Sequence, residues 1–313
     1  MRIADPYAGA GTWRRAQLHC HTRRSDGRFP PADLARRYRD AGYSFVVFTD
    51  HHRVTRCDDL NGAGFVALPG VEETVARGMR PFGPHLGRLL VHDVIGAGPA
   101  DARIRRTLAS GGVPSLHHPS WTGNFWTGTW TAQMLAALPG PFLVEVWNPH
   151  STPEEDLRRW LHAVQAHGPD VVVAAAAGDD CHVEAQFDRG WVVVKVEAVT
   201  AAALRQALLG GACYASTGVD ATFGVQGQAI VALAQADDVL VFDAAGRLRR
   251  RLGSGGGTYL PEGDEGFVRF ECHAGPRRAW SQVFWITPEG ADGGARERSR
   301  PGTGEQRVEG GHA

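Results

Sequence analysis

LHCHTRRSDG, at residues 18–27, is the stretch on which the reading of this chain turns. A strand predicted over 17–21 puts His19 and His21 two apart, hence on one face, with Cys20 on the other. Two imidazoles from one strand can share a metal ion, although two ordinary histidines would leave the same HxH pattern. Asp26, in the Ser-Asp-Gly turn that follows, adds a carboxylate. Further along, TDHH (49–52) places Asp50 and His51 where a strand over 44–49 gives way to a loop. The next strand, over 65–69, leads into LPGVEE with Glu72. LHHPSW puts His117 and His118 just past a strand starting at Val113, and AAGDDCH puts Asp180 and His182 just past one over 171–177.

Apolar runs over 86–91, 142–147 and 192–196 bring the candidate strands to eight, and segments of helical period lie between several of them. One helix has Pro31 in its first turn and stops at Gly42. Another has Thr152 as N-cap, Pro153 at the first helical position, Glu155 completing a capping box and Gly168 as stop, with Leu157, Trp160, Leu161 and Val164 on one face. The alternation predicts an α/β fold with a parallel sheet, and seven or eight such units suit a barrel of the TIM type better than an open sheet. In such barrels the loops at the carboxyl ends of the strands converge on one mouth, so ligands distant in sequence become neighbours. Nitrogen and carboxylate ligands without thiolate suit zinc, manganese or iron, and more than four of them imply two or three ions. Beyond about residue 217 the pattern changes to β segments with Gly-rich turns, near 239–242, 267–272 and 282–286. The expected organisation is therefore a barrel over 1–217, a small β-rich subdomain over 218–289 and a disordered tail over 290–313, where almost no apolar residue could offset ordering.

At 313 residues with 43% hydrophobic content the chain can fill a real core. Lys and Arg number 33 against 34 Asp and Glu, so no global field draws it to a nucleic-acid polymer or an anionic membrane. The longest apolar run, 171–177, is far short of a membrane span and the first residues lack a signal-peptide core, so the expected location is the cytoplasm. Five scattered cysteines without a CxxC pair predict reduced thiols, leaving His and carboxylate to hold any metal. Lys195 is the only lysine, which disfavours lysine-based catalysis.

Taken together, HxHTxxSDG, TDH, PGxE, HP and GxDxH appear here in that order over about residues 16–217, and the chain resembles the polymerase and histidinol phosphatase (PHP) metallohydrolases. The resemblance implies a distorted (β/α)7 barrel and a trinuclear site. His19, His21, Glu72 and Asp180 would hold one ion, Glu72, His85 and His118 a second, and Asp26, His51 and His182 a third. His85 fits its slot better than His92, and His117 competes with His118 for the ligand position. Asp179 stands where the family usually has Ser. Trp121, VEVWN (144–148), ALLGGACYASTG (207–218) and RRAWSQVFWI (277–286) look like the branch that includes the carbaryl hydrolase, which also carries a C-terminal β segment.

The implied cofactors are two or three divalent ions, zinc, manganese or iron, with His51, Asp180 and His182 at the reacting centre. The implied partner is a small, phosphorylated substrate attacked by a metal-bridging hydroxide; nothing in the sequence fixes the oligomeric state. Arg23 and Arg24, between His21 and Asp26, are candidates for a phosphate clamp, or else solvated loop charges. His52 and His117 are candidate substrate contacts or general acids, with hydrogen bonding to a ligand as the plainer role. Of Trp121, Phe125, Trp126 and Trp130, at most one is expected to stack on substrate. A phosphoesterase is the leading reading. A carbamate, ester or amide hydrolase using the same metals comes second, and a non-catalytic binding module third.

Overall fold

The computed structural model describes residues 1–75 and 82–288. A two-residue strand β1 (Arg2–Ile3) is followed by β2 (Thr12–Gln17), α1 (Pro31–Asp40), β3 (Tyr43–Phe48), β4 (Val66–Thr74), β5 (His85–Leu89), α2 (Ala100–Ala109) and β6 (Val113–Leu116). Next come α3 (Gly123–Trp126), α4 (Ala132–Ala137), β7 (Phe142–Trp147), α5 (Pro153–His167), β8 (Val173–Ala177), β9 (Trp191–Val196), α6 (Ala201–Gly210) and β10 (Cys213–Ser216). The rest is β: β11 (Ala221–Gln226), β12 (Ala229–Ala234), β13 (Asp238–Asp243), β14 (Leu248–Gly253), β15 (Gly256–Tyr259), β16 (Phe267–Ala274), β17 (Arg277–Trp280) and β18 (Phe284–Thr287). The expected tail over 290–313 lies outside the described residues.

The main sheet runs β1-β18-β16-β17-β10-β9-β2-β3-β4-β5-β6-β7-β8, and β11-β12-β15 form a second sheet. Neighbours β2/β3, β3/β4, β6/β7 and β7/β8 are parallel. The expected parallel sheet is found in these pairs, but β5 and β9 run against their neighbours. A parallel return needs a crossover, usually a helix. Here β5 lies antiparallel beside β4, with the Val75 N–H bonded to Pro84 O at 2.8 Å, and no α-helix separates β8 from β9.

Alternate residues of every strand from β2 to β10, among them Ala16, Val47, Leu68, Leu143, Ala176 and Val194, share one buried cluster that Leu204 and Leu208 of α6 also join. The sheet therefore curls around a common interior. Its last strand, β8, lies beside β10 with no backbone ladder between the two among the described residues; the side chain of Gln282 spans the gap. That amide accepts from Ala175 N at 2.7 Å and donates to Ala175 O at 2.9 Å and Cys213 O at 3.0 Å. The outward residues pack on α2, α4 and α5 in one cluster, and on α1 and the C-terminal strands in another. Trp160 of α5, fully buried, gives its indole N–H to Val173 O at 2.9 Å, so its burial orphans no donor.

Two local expectations are corrected. The capping box at α5 does not form: Thr152 N–H is taken by Ser120 Oγ at 2.8 Å, and Glu155 pairs with Arg158 and Arg159 instead. The strand expected over 17–21 ends at Gln17. Gln17 Oε1 accepts from both Leu18 N and His19 N at 3.0 Å, while its Nε2 donates to Gly190 O at 2.9 Å. This side chain replaces a ladder partner and shifts the phase of the chain, as a bulge does. Ala16 and Leu18 face the interior, and so do His19 and His21, while Cys20 joins the outer cluster with Cys181. All five cysteines are buried and unbridged. Among the described residues no helix is long and apolar enough to cross a membrane.

Candidate metal centre

Glu72 lies within β4, where the sequence reading had it past a strand end, and its inward side chain is 1% exposed. Six imidazoles converge on it. Oε1 faces His117 Nδ1 at 2.8 Å, His85 Nδ1 at 3.2 Å, and His19 Nε2 and His118 Nε2 at 3.3 Å. Oε2 faces His51 Nδ1 at 3.1 Å and His21 Nε2 at 3.5 Å. Asp180 Oδ1 adds a second carboxylate, 3.1 Å from His19 Nε2 and 3.2 Å from His21 Nε2. Asp26 adds a third, 3.4 Å from both His51 Nε2 and His182 Nε2.

A further layer of side chains aims these groups. Glu145 accepts from His19 Nδ1 at 2.8 Å, from the His118 N–H at 2.6 Å and from Asn148 Nδ2 at 2.9 Å, so the imidazole's other nitrogen turns inward. Asp50 binds Thr22 N–H and Oγ1 and Ser25 Oγ, tying down the loop that carries Asp26. Asp156 holds the His118 loop through Ser120 N–H at 2.7 Å, and also takes the Ser151 hydroxyl. Asp179 points away from the site and accepts from Tyr38 Oη and Asp188 N.

The electrostatics follow from this crowding. Burial works against charge on Glu72, yet His85, His19 and His51 hold its carboxyl well below the usual range. Asp180 is lowered in the same way, against burial, chiefly by His19 and His21. Burial opposes protonation of His51, but Glu72 and Asp26 lift it to about 9, whereas burial takes His21 down to about 4. His118 and Asp180 both have positive φ, at 29° and 48°, a conformation costly for non-glycine residues and concentrated at functional sites.

The open space beside this cluster has a volume of about 570 Å³ and is walled by Asp26, His51, Glu72, His85, His118, Asp180 and His182, with His52, Thr74, Trp121, His150 and Gln186 around them. Of the substrate contacts read from sequence, His52 and Trp121 line it; Trp121 packs on the rings of His118 and His85 at 4.8 and 5.0 Å. His117 does not. It is fully buried behind Glu72, stacked on His19 at 3.6 Å, with its Nε2 against Gly87. Its place is to orient Glu72. Arg23 and Arg24 are exposed and absent from the lining, and Arg23 Nε is bonded to Arg28 O at 2.7 Å. Trp130 is core, with its indole N–H on His85 O; Trp126 is 82% exposed; the Phe125 side chain lies outside the described residues. His150, Gln186 and Thr74 were missed by the sequence reading, and no spacing or motif marks them.

The donor set fits divalent metal. His19 Nε2, both ring nitrogens of His21, Glu72 Oε2 and Asp180 Oδ1 are buried without a hydrogen-bond partner, each costing about 1–3 kcal/mol unless something ligates it. Ligand atoms of His21, Asp26, His51 and His182 lie within 4.8 Å of one another, as do those of His19, His21 and Glu72, of His19, His118 and Asp180, and of His51, Glu72 and His85. Imidazole and carboxylate without thiolate suit zinc, manganese or iron.

No protein-family model matches the sequence. No curated protein matches it either. Among solved structures, the chain is similar to a two-domain protein from Bacteroides vulgatus containing a predicted PHP-like metal-dependent phosphoesterase, at 17% identity over 92% of this chain and 98% of that one, with a TM-score of 0.51. An amidohydrolase from Chromobacterium violaceum aligns at 14% identity over 54% of this chain and 88% of that one, with a TM-score of 0.41. The likeness to the Bacteroides protein, spanning nearly all of both chains, is one of fold.

Proposed function

We propose that this protein is a metal-dependent hydrolase of small phosphoric esters, of the nucleotide or sugar phosphate kind, built on a distorted PHP-type barrel over 1–217 that the β-rich segment 218–289 supports. The observation that carries the reading is the convergence of six imidazoles and the carboxylates of Asp26 and Asp180 about the buried Glu72, at the wall of an open pocket. His19, His21, Glu72 and Asp180 would hold one ion, Glu72, His85 and His118 a second, and Asp26, His51 and His182 a third. Ions bound there would supply Lewis acidity and a water of pKa about 7 for an in-line displacement. Glu145, His117 and Asp50 keep the ligand side chains aimed, and His51, Asp180 and His182 lie nearest the reacting atoms. Trp121 and His52 offer a flat ring and a polar edge to the organic part of the substrate. The Bacteroides fold neighbour, which contains a predicted phosphoesterase, agrees with this reading.

A second reading is a carbamate, ester or amide hydrolase, the chemistry of the carbaryl hydrolase branch. One observation favours it: among the described residues lining the pocket there is no Arg or Lys, and Arg23 and Arg24 lie outside the lining. The full ligand set weighs against a non-catalytic module. Inorganic phosphate release by protein loaded in turn with manganese, zinc and iron(II), across nucleotides and sugar phosphates, tests the first reading, with His51→Ala as the control. Release that disappears in the control supports it. No release from fully loaded protein, with turnover of an aryl carbamate, replaces it with the second.

A further inference from the structure

We propose that Gln186 and His150 form a neutral subsite that binds a hydroxyl or carbonyl oxygen in the organic part of the substrate. The proposal deepens the hydrolase reading above and rests on it. Both residues wall the pocket that holds the metal ligands, and neither is needed to complete the ligand set. Gln186 ends a short 3-10 turn (Glu184–Gln186), and its side chain folds back on the turn: Oε1 accepts from His182 N–H at 2.7 Å and Val183 N–H at 3.0 Å. Those two donors fix which end of the amide is oxygen. The nitrogen is therefore the end 2.8 Å from His150 Nε2. An amide nitrogen can only donate, so His150 Nε2 accepts and the neutral ring carries its proton on Nδ1.

His150 is held from its backbone as well. Asn148 gives Nδ2 to Glu145 Oε2 at 2.9 Å and Asp180 Oδ2 at 3.4 Å, which leaves its Oδ1 to accept the His150 N–H at 2.9 Å. Two half-exposed polar side chains from separate loops, after β7 and after β8, thus orient each other, at an entropy cost that no apolar burial offsets. Two donors remain unspent among the described residues: the second amide hydrogen of Gln186 and the His150 Nδ1–H. Neither carries a charge. Such donors suit a sugar hydroxyl or a carbonyl, and they offer nothing to a second phosphate that it would not obtain better from a cation. A site of fixed polar groups also rejects analogues that lack the matching oxygen, because its donors are then left unpaired.

The test compares kcat/KM for ribose 5-phosphate and phenyl phosphate on the metal-loaded protein. Gln186→Glu keeps the acceptor for His182 and Val183 but loses the donor; Gln186→Leu and His150→Ala remove more. The ratio of the two substrates cancels any common effect on phosphate or metal. The expected result is a ratio favouring ribose 5-phosphate that falls about tenfold in each variant, mainly through KM, with metal content unchanged. Equal loss on both substrates, loss of metal, or no change overturns the subsite. Failure to hydrolyse either phosphate would sink the phosphoester reading, and the subsite is then decided by imidazole nitrogen resonances of the zinc-loaded protein. A neutral, Nδ1-protonated His150 that changes tautomer or protonation in Gln186→Glu supports it, and an Nε2-protonated ring in the wild-type protein overturns it.

Discussion

Replacing Gln17 by Ala should disable the proposed metal centre without touching any of its candidate ligands. Gln17 is fully buried, and its amide makes three hydrogen bonds, two from the successive N–H groups of Leu18 and His19 and one to Gly190 O. Alanine leaves two donors and one acceptor buried without partners. At about 1–3 kcal/mol for each orphaned group the unrelieved loss is about 3–9 kcal/mol, a large share of the roughly 5–15 kcal/mol that typically holds a protein folded. The chain has a way to relieve it: Leu18 and His19 can resume the regular alternation of β2, with Leu18 still inward. That alternation would put Cys20 inward and carry His19 and His21 to the outer face, away from Glu72 and Asp180. The expected outcome is a folded but weakened protein that binds zinc far more weakly. Chelator competition reads the affinity, and urea unfolding of the metal-free protein reads the stability. Gln17→Glu keeps both acceptor contacts and loses only the bond to Gly190, so it should fall between. A Gln17→Ala protein with wild-type zinc affinity and a stability within about 0.5 kcal/mol would refute the account, because the phase shift would then be set by something other than this amide.

Gly87→Ala would place a Cβ 2.2 Å from His117 Nε2, so the ring must leave Glu72; a destabilisation of about 1–3 kcal/mol and reduced metal content are expected, by unfolding and metal analysis. Gln282→Ala removes the amide's bonds to Ala175 and Cys213 across the β8/β10 gap and should lower the unfolding free energy, read by urea denaturation, by about 3 kcal/mol. Asp156 carries a pH signature: burial lifts its carboxyl to about 6 from 3.8, so the folded state holds the proton more tightly than the unfolded one. Its contribution to stability is full below pH 4 and is lost as pH rises through 6, by about 3 kcal/mol; Asp156→Asn should flatten that segment of the stability curve relative to wild type, and parallel curves for the two proteins would show the carboxyl to be unperturbed.

Part of the cluster around Glu72 was legible because His51, His118 and Asp180 follow closely on the ends of β3, β6 and β8, where the loops of a strand-helix repeat gather. His51, Asp180 and His182 could be named as candidates from those positions, whereas Asp26 was named from the Ser-Asp-Gly turn nine residues beyond β2. The phase shift at Gln17 was not legible, since a glutamine that replaces a ladder partner looks in sequence like any polar residue at a strand end. The Gln282 bridge between β8 and β10 depends on a contact with Ala175 more than a hundred positions away. The capping box failed for a related reason: Thr152 and Glu155 have the right spacing, but Ser120, remote in sequence, reaches the Thr152 N–H first. His150 and Gln186 carry no signal at all, because their orientation comes from amides that each need a tertiary partner.

The backbone at His118 and Asp180 shows what the site requires of the fold. Positive φ at a non-glycine residue costs about 1–3 kcal/mol, and glycine would relieve it, but glycine has no ligand atom. The strain persists because both positions are held from two sides. Asp180 N–H bonds His19 O at 3.1 Å while His21 N–H bonds Cys181 O at 3.1 Å, so the two ligand pairs His19/His21 and Asp180/His182 are laced backbone to backbone. His118 N–H is bonded to the Glu145 carboxylate, whose other oxygen holds His19. One carboxylate thus sets the strained backbone of one ligand and the ring of another, and Asp180 is set by the backbone of that same histidine. These candidate ligands are therefore coupled to one another in position, which is what a preorganised metal site needs and what separately placed histidines would lack.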